Sequence, residues 1–224
     1  MSGADGRPYD LLVFDWDGTI VDSISAIVAC TRTTLDEMNL AHIDDATIRG
    51  AIGLGLRETI ERFHPGCSEE RFWGILETYR RHWIATYHHR LGPFEGIHPL
   101  LCELETAGYL LAVATAKSRA GLVRDFEATG LGPFFHASRT MDESPSKPHP
   151  DMLESLLAEL GIRPRRALMI GDTVHDLQMA TNAGMPALAV TSGSHTADQL
   201  AAAGPLAVLG RVTELPGWLR ASRV

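Results

Sequence analysis

The stretch VFDWDGTIVDS, residues 13–23, sets two aspartates two positions apart at the end of an apolar run and follows them at once with Gly18 and Thr19. The lead-in YDLLVF reads as a short buried strand, and the turn-forming residues behind it place Asp15 and Asp17 at that strand's C-terminal edge. In a parallel sheet, ligands bind at that edge.

Beyond residue 95, strands and helices alternate. YLLAVAT (109–115) reads as a strand, SRAGLVRDFEATG as a helix closed by Gly130, and FFHAS (134–138) as a short strand. PDMLESLLAELG (150–161) is a helix with proline at its start and glycine at its end. RALMIG is the next strand, TVHDLQMATNAG a helix and PALAVT a strand, and a last short strand near LAVL precedes the C-terminal tail. Repeated βα units of this kind imply an α/β fold with a Rossmann-like, doubly wound parallel sheet.

The first unit breaks the rhythm. About 90 residues separate the strand at 10–14 from the one at 109, where a simple crossover needs only about a dozen. The intervening SISAIVACTRTTLDEMNL, GLRETIERF and SEERFWGILETYRRHWIATYHH carry apolar residues at spacings of three and four, the helical period. They predict a helical insertion bounded near Val21 and Pro93, which divides the chain into a core of residues 1–20 and 94–224 and an inserted domain of residues 21–93. Phe72, Trp73, Tyr79 and Trp83 fall at helical spacing and are expected in its core. GLGL (53–56) lacks the third glycine and preceding strand of a dinucleotide fingerprint and is expected to be a flexible loop. His82 and His89 share a helix face, and surface or helix packing is their expected role.

Composition narrows the function classes. The 224 residues carry a formal charge of -8, with 45% hydrophobic and 21% charged residues, an ordinary globular balance with no run of the ~18 apolar residues a membrane helix requires. The acidic balance lacks the basic patch of a nucleic-acid binder. The N-terminal MSGADGRPYD shows no basic region leading into an apolar segment. Cys30, Cys67 and Cys102 are widely spaced and are expected to be free buried thiols in a reducing cytoplasm. Among 20 Lys and Arg residues only Lys117 and Lys147 are lysines.

Four landmarks fall at the C-terminal ends of separate elements: Asp15 and Asp17 after the first strand, Thr115 at the end of the second, Lys147 in the loop SPSKPHP, and Asp172 and Asp176 opening GDTVHDLQMA after the fourth. Taken singly, each has a structural explanation: a turn, a helix cap, a solvated loop residue, an acidic first helical turn. In register, the segments FDWDGT, VATAKS, SKPHP and GDTVHD resemble the four motifs of the haloacid dehalogenase superfamily of hydrolases. The resemblance covers essentially the whole chain and is to the phosphoglycolate phosphatase-like group, whose helical cap is inserted after the first motif.

That resemblance implies a Mg²⁺-dependent phosphatase acting on a small phosphomonoester, phosphoglycolate being the leading substrate. By the family pattern Asp15 and Asp172 supply carboxylates to the metal, Asp17 supplies its backbone carbonyl, and Asp176 completes the shell directly or through water. An all-oxygen donor set selects a hard cation, and an offset charge lets Asp15 attack phosphorus and form an aspartyl-phosphate. Asp17 would protonate the leaving oxygen and then deprotonate the attacking water. Thr115 and Lys147 would hold the transferring phosphoryl oxygens. Ala116 stands where the family often carries asparagine or serine, which leaves only backbone contacts there. Lys117 either faces the site or lies at the surface. Within the insertion, Arg57 is the expected grip for a substrate carboxylate, with Arg49 second; its alternative is a helical pair with Glu61.

Neighbouring activities fit less well. A haloacid dehalogenase proper needs neither Asp17 nor Asp172, a phosphonatase needs a cap lysine that residues 20–95 lack, and a silent phosphate-binding module has no reason to keep every acid. A β-phosphoglucomutase-like phosphomutase or a sugar-phosphate phosphatase stands as the alternative on the same fold. Monomer and homodimer both suit the sequence.

Overall fold

The computed structural model describes residues 7–88 and 91–222. Six strands, β1 (Leu11–Phe14), β2 (Leu110–Ala114), β3 (Ala137–Arg139), β4 (Ala167–Gly171), β5 (Ala187–Val190) and β6 (Val208–Leu209), form one sheet in the order 3-2-1-4-5-6. All pairings are parallel, and β1 lies in the middle, Leu11–Phe14 facing Leu110–Val113 on one side and Ala167–Ile170 on the other. The chain order reverses at β1 and β4, so the crevice beyond their C-terminal ends is the binding position of a doubly wound sheet.

Both faces of the sheet are covered, which explains why the strands read as unbroken apolar runs. Alternate residues serve opposite layers. Leu12 and Phe14 pack with Ile97, Leu101 and Leu104 of α5 (Ile97–Thr106) and with Leu215 and Leu219 of α10 (Leu215–Ala221). Leu11 and Val13 pack with Met152 and Leu156 of α7 (Asp151–Leu160) and Leu177 and Ala180 of α8 (Val174–Asn182). Each such side chain, fully buried, contributes about 1.5–3 kcal/mol relative to exposure.

Local chemistry sets the helix ends. The Ser118 hydroxyl accepts from Gly121 N–H to start α6 (Arg119–Thr129), which Gly130 ends in the left-handed region. Gly161 ends α7 the same way. Between Val21 and Pro93 lie α1 (Ile24–Glu37), α2 (Asp45–Arg49), α3 (Leu56–Phe63) and α4 (Glu69–His82), which runs on as a π-turn over Trp83–Tyr87. Ile60, Phe72, Ile75 and Leu76 form a separate small core among them. The chain leaves and re-enters the sheet domain side by side: Val21 and Pro93 form an antiparallel bridge, Asp22 N–H donates to Gly92 O and Phe94 N–H to Ile20 O.

Several expectations need correction. β3 sits at 137–139 rather than 134–138, because Gly132–Phe134 forms a 3-10 turn. The supposed C-terminal tail contains α10, and α2, α5 and α9 (Ala197–Ala202) were not foreseen. Trp73 is 55% exposed rather than in the core, and of the three free cysteines only Cys30 is buried, its thiol pushed up to about 12 by that burial. His82 pairs with Glu37 at 2.8 Å; His89 lies outside the described residues. Among the described residues, no helix is long and apolar enough to cross a membrane.

Candidate active site

The site begins where β1 and β4 end. Asp15, 3% exposed, is tied to β4 by its own N–H, which donates to Ile170 O at 2.9 Å. Asp172 and Asp176 follow β4 and are fully buried, and carboxylate oxygens of Asp15, Asp172 and Asp176 lie within 4.8 Å of one another. Lys147 reaches into this cluster from the loop before α7: its Nζ donates to Asp15 at 2.8 Å and to Asp176 at 2.6 Å, with no exposed side-chain surface.

Two glycines make room for the cluster. Gly18 has φ +81°, and a Cβ there would stand 2.6 Å from Asp172 Oδ2; one on Gly193 would collide with the same carboxylate. Asp172 is oriented by Thr19 Oγ1, donating to Oδ1 at 2.9 Å, and Ser194 N–H, donating to Oδ2 at 2.8 Å. Thr173 caps α8 in a reciprocal box with Asp176, whose carboxylate accepts from both the N–H and the hydroxyl of Thr173.

Three buried carboxylates against one ammonium leave a net negative charge. Burial pushes the Asp15 carboxyl well above the ordinary range, against the pull of Lys147 and with the help of Asp176 and Asp172. Burial, followed by the charge of Asp176, raises Asp172 to about 7. Burial works against the Lys147 ammonium, but Asp15 and Asp176 outweigh it and hold its pKa above the ordinary lysine value. An all-oxygen, charge-excess set of this kind fits a hard divalent cation.

Asp17 lies outside that cluster. Its carboxylate accepts from Lys117 Nζ at 2.9 and 3.0 Å and from Ser23 Oγ at 2.6 Å. Lys117 therefore faces the site. Its Nζ also lies 3.2 Å from Asp125, which accepts from Trp16 Nε1 at 2.8 Å and stands 3.3 Å from His88 Nε2, and it lies 5.1 Å from the centre of the Trp83 ring. Burial opposes the Lys117 charge, and Asp17 and Asp125 more than offset it. The sequence signalled Lys117 through the scarcity of lysine and its place two residues beyond Thr115, leaving open whether it faces the site; Ser23, Asp125 and Trp16 carried no signal.

Thr115 is buried at the end of β2, its Oγ1 accepting from Lys117 N–H, and Ala116 follows half-buried. Asp15, Asp17, Thr115, Ala116 and Lys117 line the floor of a cavity of about 680 Å³ whose remaining walls are largely helices α1–α4. The insertion is seated on the core. Gly53 comes so close that a Cβ would lie 2.9 Å from Thr173 Oγ1, and Ser146 Oγ donates to Glu58 at 3.1 Å. GLGL is thus a close-packed contact rather than a loose loop. Arg57 lines the cavity, but its guanidinium is engaged by both oxygens of Glu69 at 2.8 and 3.2 Å and lies 4.0 Å from the Phe72 ring centre. Its partner is Glu69 rather than Glu61. Arg49 is not among the residues lining this cavity.

Comparison with known proteins agrees with this geometry. The family described as Haloacid dehalogenase-like hydrolase matches residues 12–190. The chain is 36% identical over 215 residues to Probable phosphatase IndB of Dickeya dadantii, covering 92% of each. It is 32% identical over 190 residues to Phosphoglycolate phosphatase of Mesorhizobium japonicum, covering 82% of this chain and 83% of that one. A hydrolase from Pseudomonas syringae shares the fold with a TM-score of 0.87 at 22% identity, over 96% of this chain and 99% of the other. The chain belongs to the haloacid dehalogenase-like hydrolase family, among its phosphatases.

Proposed function

We propose that the protein is a Mg²⁺-dependent phosphomonoesterase that works through an aspartyl-phosphate on Asp15. The observation that carries this reading is the buried Asp15–Lys147–Asp176–Asp172 cluster with Asp17 beside it but outside it. Asp15, Asp172 and Asp176 are the residues to hold Mg²⁺, which when bound would neutralise the carboxylates and the phosphate so that an anionic nucleophile can approach an anionic ester.

The remaining work belongs to the chain. Asp15 attacks phosphorus while the bond from phosphorus to the organic oxygen breaks, and Asp17, which enters the cycle in its protonated form, gives that oxygen its proton. In the second half, Asp17 takes a proton from water, the water oxygen bonds to phosphorus, and the acyl-phosphate bond breaks to free inorganic phosphate and Asp15. Lys147, fixed by two carboxylates, and Thr115 supply positive charge and a hydrogen bond where the phosphoryl oxygens gather charge. Helices α1–α4 act as a lid that keeps bulk water from the first half.

Asp15→Asn tests the nucleophile. The variant should fold, since amide and carboxylate are nearly isosteric, and should release no phosphate from p-nitrophenyl phosphate. Hydrolysis within tenfold of wild type would refute the aspartyl-phosphate route.

A further inference from the structure

We infer that the substrate is a phosphomonoester with a bulky apolar organic group, held in the cavity under α1–α4, and that a two-carbon acid such as phosphoglycolate is a poor one. This rests on the phosphatase reading of the Asp15 site and specifies the other end of the molecule.

The cavity's size and lining carry the inference. At about 680 Å³ it is continuous with the floor that carries Asp15 and Thr115, and it equals the bulk volume of roughly 20 water molecules. A phosphate over Asp15 therefore leaves most of the space to whatever the phosphate is esterified to. That space is walled chiefly by aliphatic and aromatic side chains, among them Ile27, Leu35, Ile52, Phe72 and Trp83. Trp73 and Ile84, 55% and 49% exposed among the described residues, belong to the same lining.

Among the described residues, two of the four Lys and Arg side chains that line the cavity are already held by carboxylates. Lys117 is shared between Asp17 and Asp125, and Arg57 is held bidentately by Glu69 and lies over Phe72. Arg124 donates through Nε to Ala120 O in its own helix, and Arg80 is exposed on α4, so these two are the arginines an acid would have to use, and neither is a buried grip. A small acid would leave the apolar walls wet and gain nothing from them. An apolar group displaces that water, and binding energy gathered away from phosphorus can then serve the reaction.

The test is a homologous series. Primary n-alkyl phosphates from ethyl to octyl share one leaving-group chemistry, so the slope of log kcat/KM against chain length reports the organic pocket alone. Each buried methylene should raise kcat/KM roughly threefold, and hexyl phosphate should exceed ethyl phosphate by about 100-fold. Phosphoglycolate should fall with the ethyl ester, and 7-carboxyheptyl phosphate well below octyl phosphate. In Ile52→Glu, at a half-buried turn of the insertion, the slope should flatten, a comparison internal to each enzyme. A flat wild-type slope, with phosphate released from every ester, would overturn the inference and leave the phosphatase standing. A tenfold preference for the carboxylated chain would overturn it in favour of an anion grip at Arg80 or Arg124. No phosphate from any ester, p-nitrophenyl phosphate included, would refute the phosphatase reading itself.

Discussion

Lys117→Met removes the cation shared by Asp17 and Asp125 while keeping an apolar stem of similar length. Its Nζ makes two contacts to Asp17, at 2.9 and 3.0 Å, and one to Asp125 at 3.2 Å, with side-chain exposures of 11% for Lys117, 14% for Asp17 and 5% for Asp125. Breaking a buried pair by deleting one partner costs roughly 3–5 kcal/mol. Asp125 keeps Trp16 Nε1 and Asp17 keeps Ser23 Oγ, which argues for the lower end, about 3 kcal/mol. For a chain of this size that is a fall in melting temperature of roughly 6–12 °C.

The kinetic signature is sharper than the thermal one. If Lys117 orients Asp17 for protonating the leaving oxygen, its loss should cost most where the leaving group is a poor one. General acid catalysis is worth about 10²–10⁴-fold, and with Ser23 still in place the low end is expected. An alkyl phosphate should lose about 100-fold in kcat/KM, whereas p-nitrophenyl phosphate, whose leaving group departs unprotonated, should lose less than about fivefold. The assay is a plot of log kcat/KM against leaving-group pKa for aryl and alkyl phosphates; the variant's slope should be steeper, and Lys117→Arg should recover part of the difference. Parallel lines for variant and wild type would refute the positioning role and reduce Lys117 to a structural ion pair.

Other expectations follow from the same geometry. Mg²⁺ at a hundredfold its dissociation constant contributes about 2.7 kcal/mol, a rise in melting temperature of roughly 5–10 °C; Asp172→Asn should abolish the rise, and coincident melts of the wild type in Mg²⁺ and in EDTA would count against the metal. Arg57→Ala, which breaks an exposed pair with Glu69, should change kcat/KM by less than about threefold on phosphoglycolate and p-nitrophenyl phosphate alike, exposed pairs being weak; a selective tenfold loss on phosphoglycolate would restore Arg57 as a carboxylate grip. Arg166, through its hydrogen bonds, holds the Asp10 carboxyl below the usual range. A depressed carboxylate contributes stability that is present above its unfolded value of about 4 and is lost as pH falls through the folded one. Asp10→Asn should therefore cost on the order of 1 kcal/mol at pH 7, solvent screening included, and nothing in strong acid; an equal cost at both, by denaturant melts, would contradict the linkage.

What the sequence revealed and what it hid divide along a physical line. Parallel strands covered on both faces must be apolar at every position, so LLVF, LLAVA and ALMIG announce themselves, and residues at their C-terminal ends share one edge by topology alone. Asp15, Thr115 and Asp172 were legible for that reason. For Lys117 two orientations stood open, because its partners are set by approach in space: Asp125 lies two turns into the helix that follows it and Asp17 at the end of another strand. Arg57 illustrates the same limit. Helical spacing nominated Glu61, but the loop after α3 brings Glu69, the first residue of α4, against it. Short elements escaped too. α2 and α9, of five and six residues, are held by caps and packing rather than by any period long enough to detect.

The site's orientation and its instability have a common source. Asp172 could not swing to relieve its repulsion from Asp176: Thr19 and Ser194 occupy its two oxygens, and Gly18 and Gly193 leave space only for the carboxylate already there. Asp176 is equally constrained, since turning away from Lys147 would also break its hydrogen bonds to the Thr173 N–H and hydroxyl at the start of α8. Acids that relaxed apart would ease the apo protein and lose the convergence a cation needs. The fold instead spends helix caps, two glycines and a buried lysine on keeping like charges together. An arrangement that costs the apo protein stability is the physical reason to read Asp15, Lys147, Asp172 and Asp176 together as a candidate site.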